Sequence, residues 1–351
     1  MKHIVVCNAQ SPFVPTGGAE VLAQGLVGAL EEHGFAVDQV NVPFTDDPRP
    51  EVMRSAMAWR MLNLDQLPGR PEKIDAVICL KYPSYVVRHP CKIVWLIHQH
   101  RPAYDLKGTP YSDFSDSATD LAYADMIRRL DNQTLGEAQG LYAISRNVAR
   151  RLKHYNGLRA QALYPPPQYV GRYRCDGYGD FVFTVSRQDP LKRVDLLIRG
   201  LAQTRTKVRA VIAGTGPLLE AHRALAAELG VADRVEFVGF VDEGRLLQLY
   251  AEALAVYYAP YDEDYGYVTL EGFLSQKAVV TARDSGGTLE FVRDRETGVV
   301  FDAGDMAGLG RALDGLMEDR GKAERMGEAG YRRVAGITWD AVVDTLTGLI
   351  P

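Results

Sequence analysis

Two carboxylates, Glu263 and Glu271, stand eight residues apart in the stretch Tyr261–Glu271 and could together bind the hydroxyl groups of a ligand. The apolar run LAVYYAP before them is typical of a buried strand ending at Pro260, and VTLEGFLSQ predicts a helix start. Glu263 would then lie on a loop after a strand, and Glu271 on the first turns of a helix. Backbone N–H groups at a helix start favour an anion. The combination suits a sugar phosphate or a nucleotide sugar.

Two basic residues, Arg187 and Lys192, frame the turn after the predicted strand 180–186. A bidentate guanidinium and a point-charge ammonium at the end of a strand can neutralise a diphosphate. A solvated basic turn is the alternative for either residue alone. Both residues together at one strand end favour a binding role.

Three glycine-rich turns precede predicted helices, at Gly17-Gly18, at Gly214-Thr215-Gly216 and at 284–288. Glycine lets the backbone approach a ligand, and the following helix favours an anion. The first turn lacks the GxGxxG pattern of dinucleotide binding, and the second lacks the Lys-Ser/Thr of a P-loop. For each turn, a purely structural strand-to-helix connection stays open as the alternative.

The run IVWLIH predicts a strand that ends at His98, and a second histidine, His100, lies two residues further on. A histidine there can act as a general acid or base, donate to a sugar, or simply cap the strand. If the strand continued, both side chains would share one face, as in a metal site. No further His or Cys is close in sequence, so the sequence disfavours a metal.

The elements that position these residues alternate between strand and helix along the whole chain. Continuous apolar runs such as HIVVCNA predict strands buried on both faces, and the strand–helix–strand order predicts a parallel sheet. Three consecutive prolines, Pro165–Pro167, cannot continue a helix or a central strand and mark a domain boundary. The sequence therefore predicts two α/β domains with doubly wound parallel sheets and a cleft between them. Ligands bind outside the carboxyl ends of such strands.

The composition excludes several classes of protein. The length of 351 residues predicts about two domains, and the net charge of −5 disfavours nucleic acid as a partner. The four cysteines form no CxxC pair and are predicted to be thiols in a reducing compartment. No signal peptide or membrane-spanning run is apparent, which predicts a cytoplasmic protein. The basic helix predicted at 146–159 is a solvated face, or it contacts a phosphorylated acceptor or the inner membrane face peripherally.

With these motifs in order, the chain resembles the family 4 retaining glycosyltransferases (glycosyltransferase group 1) over nearly its whole length. Glu263 and Glu271 match the Glu-x7-Glu signature of that family, and Arg187 and Lys192 match its strand–Arg–x4–Lys segment. The loop GGAE and His98 match its first-domain motifs. The resemblance implies the GT-B architecture, with two Rossmann-like domains and an interdomain cleft. Residues 1–165 would form the acceptor-side domain, 166–337 the nucleotide-sugar-binding domain, and a helix at about 338–351 would pack back on the first.

The resemblance also implies an activity and a site. The expected enzyme is a hexosyltransferase-type glycosyltransferase, retaining and independent of a metal or cofactor, with a UDP- or GDP-linked sugar as donor. The acceptor would be a glycan, a lipid-linked molecule or a small molecule. The implied catalytic residues are His98, Arg187, Lys192 and Glu263. The implied donor-binding residues are Gly17, Gly18, Gly214, Gly216, Phe240, Tyr265, Gly266, Tyr267, Val268, Thr269 and Glu271, and the acceptor-side candidates are His100, Arg101 and Tyr104.

Some residues depart from the family pattern, and other functions stay open. Tyr265 replaces the usual Phe, Ser186 replaces a Gly, and Pro165–Gln168 replaces the usual Pro-Asn-Gly-Val of the linker. The rings of Tyr265 and Tyr267 are hypothesised to set the choice of sugar. A nucleotide-sugar epimerase or a phosphorylase of the same architecture is an alternative enzyme. A third possibility is a non-catalytic protein that binds a nucleotide sugar. The presence of all four signature residues argues against it, namely Arg187, Lys192, Glu263 and Glu271.

Overall fold

The structure of the protein is a computed structural model that describes residues 1–10, 17–65 and 73–351. The described chain divides into two compact units, one of residues 1–168 with 337–351, the other of residues 169–336. The chain leaves the first unit directly after its run of three prolines, which cannot continue either a helix or a central strand.

The first unit is built on a parallel sheet with the strand order β2-β1-β3-β4-β5-β6 among the described residues. β1 is buried along almost its whole length, as its continuous apolar sequence predicts. Its strands are β1 (His3–Gln10), β2 (Ala36–Pro43), β3 (Ala76–Cys79), β4 (Lys92–Leu96), β5 (Gly140–Ala143) and β6 (Gln161–Ala162). Its helices before the proline run are α1 (Gly18–Glu32), α2 (Pro50–Met61), α3 (Ala118–Leu135) and α4 (Arg146–Asn156).

The second unit repeats this plan with the parallel order β12-β11-β10-β7-β8-β9. Its strands are β7 (Phe181–Val185), β8 (Arg209–Ala213), β9 (Val235–Gly239), β10 (Ala255–Tyr257), β11 (Ala278–Ala282) and β12 (Gly298–Phe301). Its helices are α5 (Val194–Leu201), α6 (Leu219–Glu228), α7 (Glu243–Glu252), α8 (Tyr267–Leu274), α9 (Met306–Glu318) and α10 (Arg320–Val334). Apolar side chains from the sheet and from α5 and α9 form its core, among them Val182, Ile198, Ile212, Val280, Leu309 and Leu313.

The last helix, α11 (Trp339–Thr347), belongs to the first unit. The ring of Trp339 meets Trp95 of β4 edge-on, with ring centroids 6.2 Å apart. A Cβ added at Gly25 of α1 would lie 2.4 Å from that indole, so α1 and α11 approach closely only because residue 25 is glycine. Lys2 also donates to the carbonyl oxygen of Ile350 at 2.9 Å.

The predicted fold class of two α/β domains with parallel sheets is confirmed, and the differences concern the end of one strand and one short additional strand. The strand predicted to end at His98 ends at Leu96. β6, with only two residues, was not predicted. Cys7, Cys79 and Cys91 are buried free thiols, as expected, and Cys175 is a partly exposed one. Among the described residues, no helix has the length and apolar character that crossing a membrane requires.

Candidate functional site

The centre of the site in the second unit is an ion pair between Lys192 and Glu263. Lys192 ends a short helical turn capped by Asp189, directly after β7, and Glu263 lies on the loop after β10. The Lys192 ammonium donates to Glu263 Oε2 at 2.7 Å and to the Tyr258 hydroxyl at 3.2 Å. Burial opposes the charge of Lys192, but Glu263 and Tyr258 outweigh it and raise its pKa. Lys192 is therefore a fixed cation that stays partly accessible.

Sequence reasoning missed Tyr258, because the run LAVYYAP predicts only a buried strand. Tyr258 is indeed 5% exposed, yet its hydroxyl reaches the Lys192 ammonium. The second tyrosine of an apolar run at a strand end was the available signal, since a buried tyrosine hydroxyl usually finds a polar partner.

Arg193 fixes the loop that carries Glu263, and the sequence did not distinguish it from its basic neighbours. Its backbone is left-handed at φ 48°, and its guanidinium is buried. It donates to the carbonyl oxygens of Ala259 and Pro260 at 2.8 and 2.9 Å and pairs bidentately with Asp284 at 2.7 and 2.8 Å. Two of these four bonds hold the backbone just before Glu263, and the other two join the same rigid guanidinium to Asp284.

The glycine-rich turn at 284–288 also contacts this loop. The Gly287 amide donates to the carbonyl oxygen of Glu263 at 2.7 Å, and the Asp262 amide donates to the backbone carbonyl oxygen of Asp284 at 2.9 Å. A Cβ at Gly287 would lie 2.5 Å from the Asp264 carbonyl oxygen. Residue 287 is therefore glycine for close packing against the Glu263 loop, which supports the structural reading of this turn.

Glu271 lies on α8 in a lining of tyrosines. The Tyr250 hydroxyl, from the buried ring on α7, donates to Glu271 Oε2 at 2.5 Å. Burial raises the pKa of Glu271, and the Tyr250 bond opposes that rise. Burial raises the pKa values of Tyr173 and Tyr267, and the charge of Glu271 raises them further. The sequence placed Glu271 correctly on a helix but gave no sign of these tyrosines around it.

The burial of Tyr265 argues against the hypothesis that its ring, with that of Tyr267, sets the choice of sugar. The Tyr265 ring is 2% exposed, because it packs edge-on against Phe291 and Tyr267 at centroid distances of 5.6 and 5.4 Å.

Gly266, at φ 89°, precedes the first residue of α8. The Thr269 amide, a predicted contact of the leaving group, donates to the Gly266 carbonyl oxygen at 3.0 Å, and its role in donor binding stays a prediction. Val268 lies in this same first turn.

The two glycines after β8 have a structural role. A Cβ at Gly214 would lie 2.1 Å from the Ser186 carbonyl oxygen, and a Cβ at Gly216 would lie 2.5 Å from that of Gln188. Gln188 is fully buried and donates to the Gly214 carbonyl oxygen at 2.9 Å. The turn after β8 therefore packs directly on the turn after β7, which carries Arg187.

Arg187 and Phe240 are the exposed members of the predicted set in this unit. The Arg187 guanidinium pairs with Asp189 at 2.8 Å, and its side chain is 57% exposed. Phe240 follows the last residue of β9 and is 87% exposed. Because all strands of this sheet are parallel, the turns and loops bearing Arg187, Gly214, Phe240 and Glu263 lie at one edge, the carboxyl end of the strands.

In the first unit, Gly17 and Gly18 open α1 as predicted from the sequence. The Gly17 amide donates to Glu20 Oε2 at 3.0 Å, and the other oxygen of Glu20 accepts from Lys81 at 2.9 Å. Lys81 follows β3, so a cation that the sequence did not single out lies beside the start of α1.

β4 ends at Leu96, so the condition under which His98 and His100 would share one strand face is not met. His98 lies beyond it, with its ring nitrogen 2.7 Å from the Gln99 carbonyl oxygen. His100 is buried in a cluster of aromatic rings, and burial lowers its pKa to about 4, so it is neutral. The rings around it are Phe44, Tyr82 and Phe114. Among the described residues, no group of three or more His, Cys, Asp or Glu side chains is placed to hold a metal ion.

The other acceptor-side candidates are also bound within the first unit. Tyr104 is 3% exposed and donates to the buried Asp131 at 2.7 Å, so its burial argues against the predicted contact with an acceptor. Arg101 is partly buried and pairs with Asp105 at 2.7 Å. Tyr104 and Arg101, which the sequence assigned to acceptor contact, thus bond to residues of their own unit. Their turn-rich stretch of sequence gave no sign of this burial.

The basic helix predicted at 146–159 is α4, which ends at Asn156. Ser145 caps its start by accepting from the Val148 amide at 3.0 Å, and Gly157 ends it in a left-handed conformation. Its exposed basic residues include Arg150, Lys153 and His154, whereas Arg151 is buried. A membrane or acceptor role for this face stays a prediction.

Comparison with known proteins gives these features a family context. Residues 174–333 match the family model described as glycosyl transferases group 1. A D-inositol 3-phosphate glycosyltransferase of Nocardia farcinica is 31% identical over 236 residues, which are 60% of this chain and 51% of the relative. A GDP-mannose-dependent alpha-(1-6)-phosphatidylinositol monomannoside mannosyltransferase of Mycobacterium tuberculosis is 36% identical over 190 residues, 51% of this chain and 49% of the relative. The chain spans about half the length of these curated relatives.

Solved structures show the same fold at low sequence identity. A sucrose-phosphate synthase of Thermosynechococcus elongatus has a TM-score of 0.78 at 18% identity, covering 99% of this chain and 98% of its own. The Anabaena protein HepE, solved with UDP and glucose, has a TM-score of 0.70 at 19% identity, covering 99% and 100%. The chain therefore has the two-domain α/β fold of known GT-B glycosyltransferases, and its residues 174–333 match the model of the glycosyl transferases group 1.

Proposed function

We propose that the protein is a retaining glycosyltransferase that moves a sugar from a nucleotide diphosphate to an acceptor hydroxyl without a catalytic metal or cofactor. The observation that carries the proposal is the Lys192–Glu263 ion pair, with Glu271 on the helix that follows, at the carboxyl edge of the second sheet. Ligands of doubly wound sheets bind at this edge. A fixed cation there matches a leaving diphosphate, and the two carboxylates match hydroxyl groups.

Different residues bind different parts of the donor. The Lys192 ammonium and the exposed Arg187 guanidinium stabilise the negative charge that develops on the diphosphate as the bond from the anomeric carbon to oxygen breaks. Glu263 accepts hydrogen bonds from the donor sugar, and Glu271 accepts them from the ribose. Phe240, with its exposed ring, contacts the nucleobase. The leaving phosphate oxygen takes the proton of the acceptor hydroxyl, whose oxygen bonds to the same face of the anomeric carbon.

The relatives support a donor linked to UDP or GDP. One curated relative is named as GDP-mannose-dependent, and one structural relative was solved with UDP and glucose. The acceptor classes we propose are a glycan, a lipid-linked molecule or a small polyhydroxylated molecule, as the names of the curated relatives include an inositol phosphate and a phosphatidylinositol mannoside. A lipid-linked acceptor is consistent with a cytoplasmic protein whose α4 contacts the inner membrane face.

Calorimetry with UDP, GDP and ADP, followed by an assay of nucleotide release from the matching sugars, tests the proposal. We expect one nucleotide to bind wild type and to bind Glu271→Ala much more weakly. NMR of the product should show the anomeric configuration of the donor, and activity should survive a chelator. If Lys192→Ala, Arg187→Ala and Glu271→Ala all had wild-type activity, the assignment of these residues to the donor site would be wrong. Sugar phosphate released from glycan and phosphate alone would identify a phosphorylase instead.

A further inference from the structure

A nucleophilic pair, Cys175 and Lys277, lies within the second unit and has no part in the proposed transfer. Lys277 lies between α8 and β11, and its side chain is fully buried. Its Nζ lies 3.1 Å from Cys175 Sγ, also donates to the Gly177 carbonyl oxygen, and lies 4.3 Å from the centre of the Tyr178 ring. Cys175 precedes β7, so two segments distant in sequence meet here.

The surroundings of Lys277 are unusual for a lysine. Buried ammonium groups are almost always paired with a carboxylate. Among the described residues, no carboxylate forms an ion pair with Lys277, and its polar partners are a carbonyl oxygen and a sulfur. Burial lowers the pKa of Lys277, although Cys175 opposes this. The lowered pKa of Lys277 favours its neutral amine, which is the nucleophilic form.

Cys175 also differs from the other three cysteines. Cys7, Cys79 and Cys91 are buried, whereas Cys175 is partly exposed. Oxidation of thiols follows their exposure, so a dissolved peroxide reaches Cys175 before the others. The amine of Lys277 is already in contact with the sulfur that would be oxidised.

We propose that Cys175 and Lys277 form an oxidation site at which a peroxide joins the sulfur to the nitrogen. The Cys175 thiol is first oxidised by two electrons to a sulfenic acid, and the peroxide is reduced to water. The Lys277 amine then attacks the sulfur, the S–OH bond breaks, an S–N bond forms and a second water leaves. A backbone nitrogen captures sulfenic acids in the same way. The sulfenamide ties the segment before β7 to the chain after α8, the helix that carries Glu271.

Peptide mass spectrometry of the full chain after treatment with hydrogen peroxide tests this site. We expect a linked pair of peptides containing Cys175 and Lys277, two hydrogens lighter than the sum of the reduced peptides. A thiol reductant should remove the link. Blocking Cys175 with N-ethylmaleimide before the peroxide should abolish it in wild-type protein, so the test does not depend on a variant that folds.

Lys277→Arg is the matched variant, because it keeps the positive charge but replaces the amine by a weakly nucleophilic guanidinium. In it the link should be lost entirely, and dimedone should label Cys175 as a free sulfenic acid. Cys175→Ser should show neither product. Dimedone labelling of Cys175 in wild type without any link would overturn the proposal. So would resistance of Cys175 to peroxide while the buried cysteines are oxidised.

Discussion

The Lys192 ammonium lies 2.7 Å from a carboxylate oxygen of Glu263, which joins the turn after β7 to the loop after β10. The two side chains are 22% and 18% exposed, so the pair is shielded from solvent and still open to a ligand. Each residue orients the other, and Tyr258 adds a second acceptor for the lysine at 3.2 Å. Under the proposed function, the cation and the sugar-binding carboxylate therefore act as one unit.

Replacing Lys192 by alanine should lower kcat far more than it changes the KM for the donor. The ammonium stabilises charge that develops only as the diphosphate leaves, and loss of one such group costs roughly 100- to 1000-fold in rate. Steady-state kinetics with the preferred donor measures the changes in kcat and in KM separately. Lys207→Ala, which removes an exposed lysine between α5 and β8, is the matched control and should behave as wild type. A Lys192→Ala enzyme with unchanged kcat would contradict the assignment.

Tyr250→Phe should weaken binding of the donor with little change in kcat. The variant removes the 2.5 Å bond to Glu271 but keeps the buried ring, so the carboxylate loses its orientation. A hydrogen bond to a charged group contributes about 1.5 to 3 kcal/mol, and tenfold in affinity corresponds to about 1.4 kcal/mol. We therefore expect the KM for the donor to rise by about tenfold or more.

The pH dependence of the Tyr250→Phe variant gives a second readout. Burial already raises the pKa of Glu271, and loss of the Tyr250 bond should raise it further. The loss of donor affinity should therefore grow as the pH falls. Tyr331→Phe, at a tyrosine that is 40% exposed, is the control and should show neither effect. Equal donor affinity in Tyr250→Phe and wild type at acidic pH would rule out this positioning role.

His100→Phe should flatten the dependence of stability on pH in the mildly acidic range. The pKa of His100 is about 4 in the folded protein, below its ordinary 6.5, because the ring is buried among aromatic side chains. Below pH 6.5 the unfolded chain binds a proton that the folded protein does not, so stability falls as the pH falls towards 4. The full difference amounts to about 3 kcal/mol.

Urea unfolding of both proteins at about pH 4.5 and about pH 7.5 measures this effect. The buried Asp131 acts in the opposite direction, because burial raises its pKa to about 7 and its contribution is lost as the pH rises. Asp131 is present in both proteins, so the difference between them isolates His100. Identical slopes with pH in variant and wild type would show that His100 is not buried in its neutral form.

Gly214→Ala should destabilise the second unit, whereas Gly28→Ala should stabilise the first. Gly214 has φ 99°, and an added Cβ would lie 2.1 Å from the Ser186 carbonyl oxygen, so the cost should be about 2–4 kcal/mol. Gly28 lies within α1 with open space around it, and alanine there should add about 0.5–1 kcal/mol. Denaturant unfolding measures both. Equal stability of Gly214→Ala and wild type would refute the packing role of Gly214.

Local sequence patterns predict the main strands and helices and the edge of the sheet where the candidate residues lie. Continuous apolar runs and helical periodicity are local patterns, and they were enough for the two parallel sheets and for Glu263 on a loop and Glu271 on a helix. The prolines at Pro165–Pro167 mark the boundary because their effect on the backbone is local too.

Which side chains face one another depends on how distant segments of the chain pack together. The Tyr250–Glu271 bond, the contacts of Arg193 with the Glu263 loop, and the pairing of Lys277 with Cys175 each join residues distant in sequence. The burial of His100, Tyr104 and Tyr265 likewise depends on packing, which a turn-rich or polar stretch of sequence does not reveal. Hydrophobic pattern fixes the path of the chain, but hydrogen bonds and close contacts between distant segments decide the chemistry of the site.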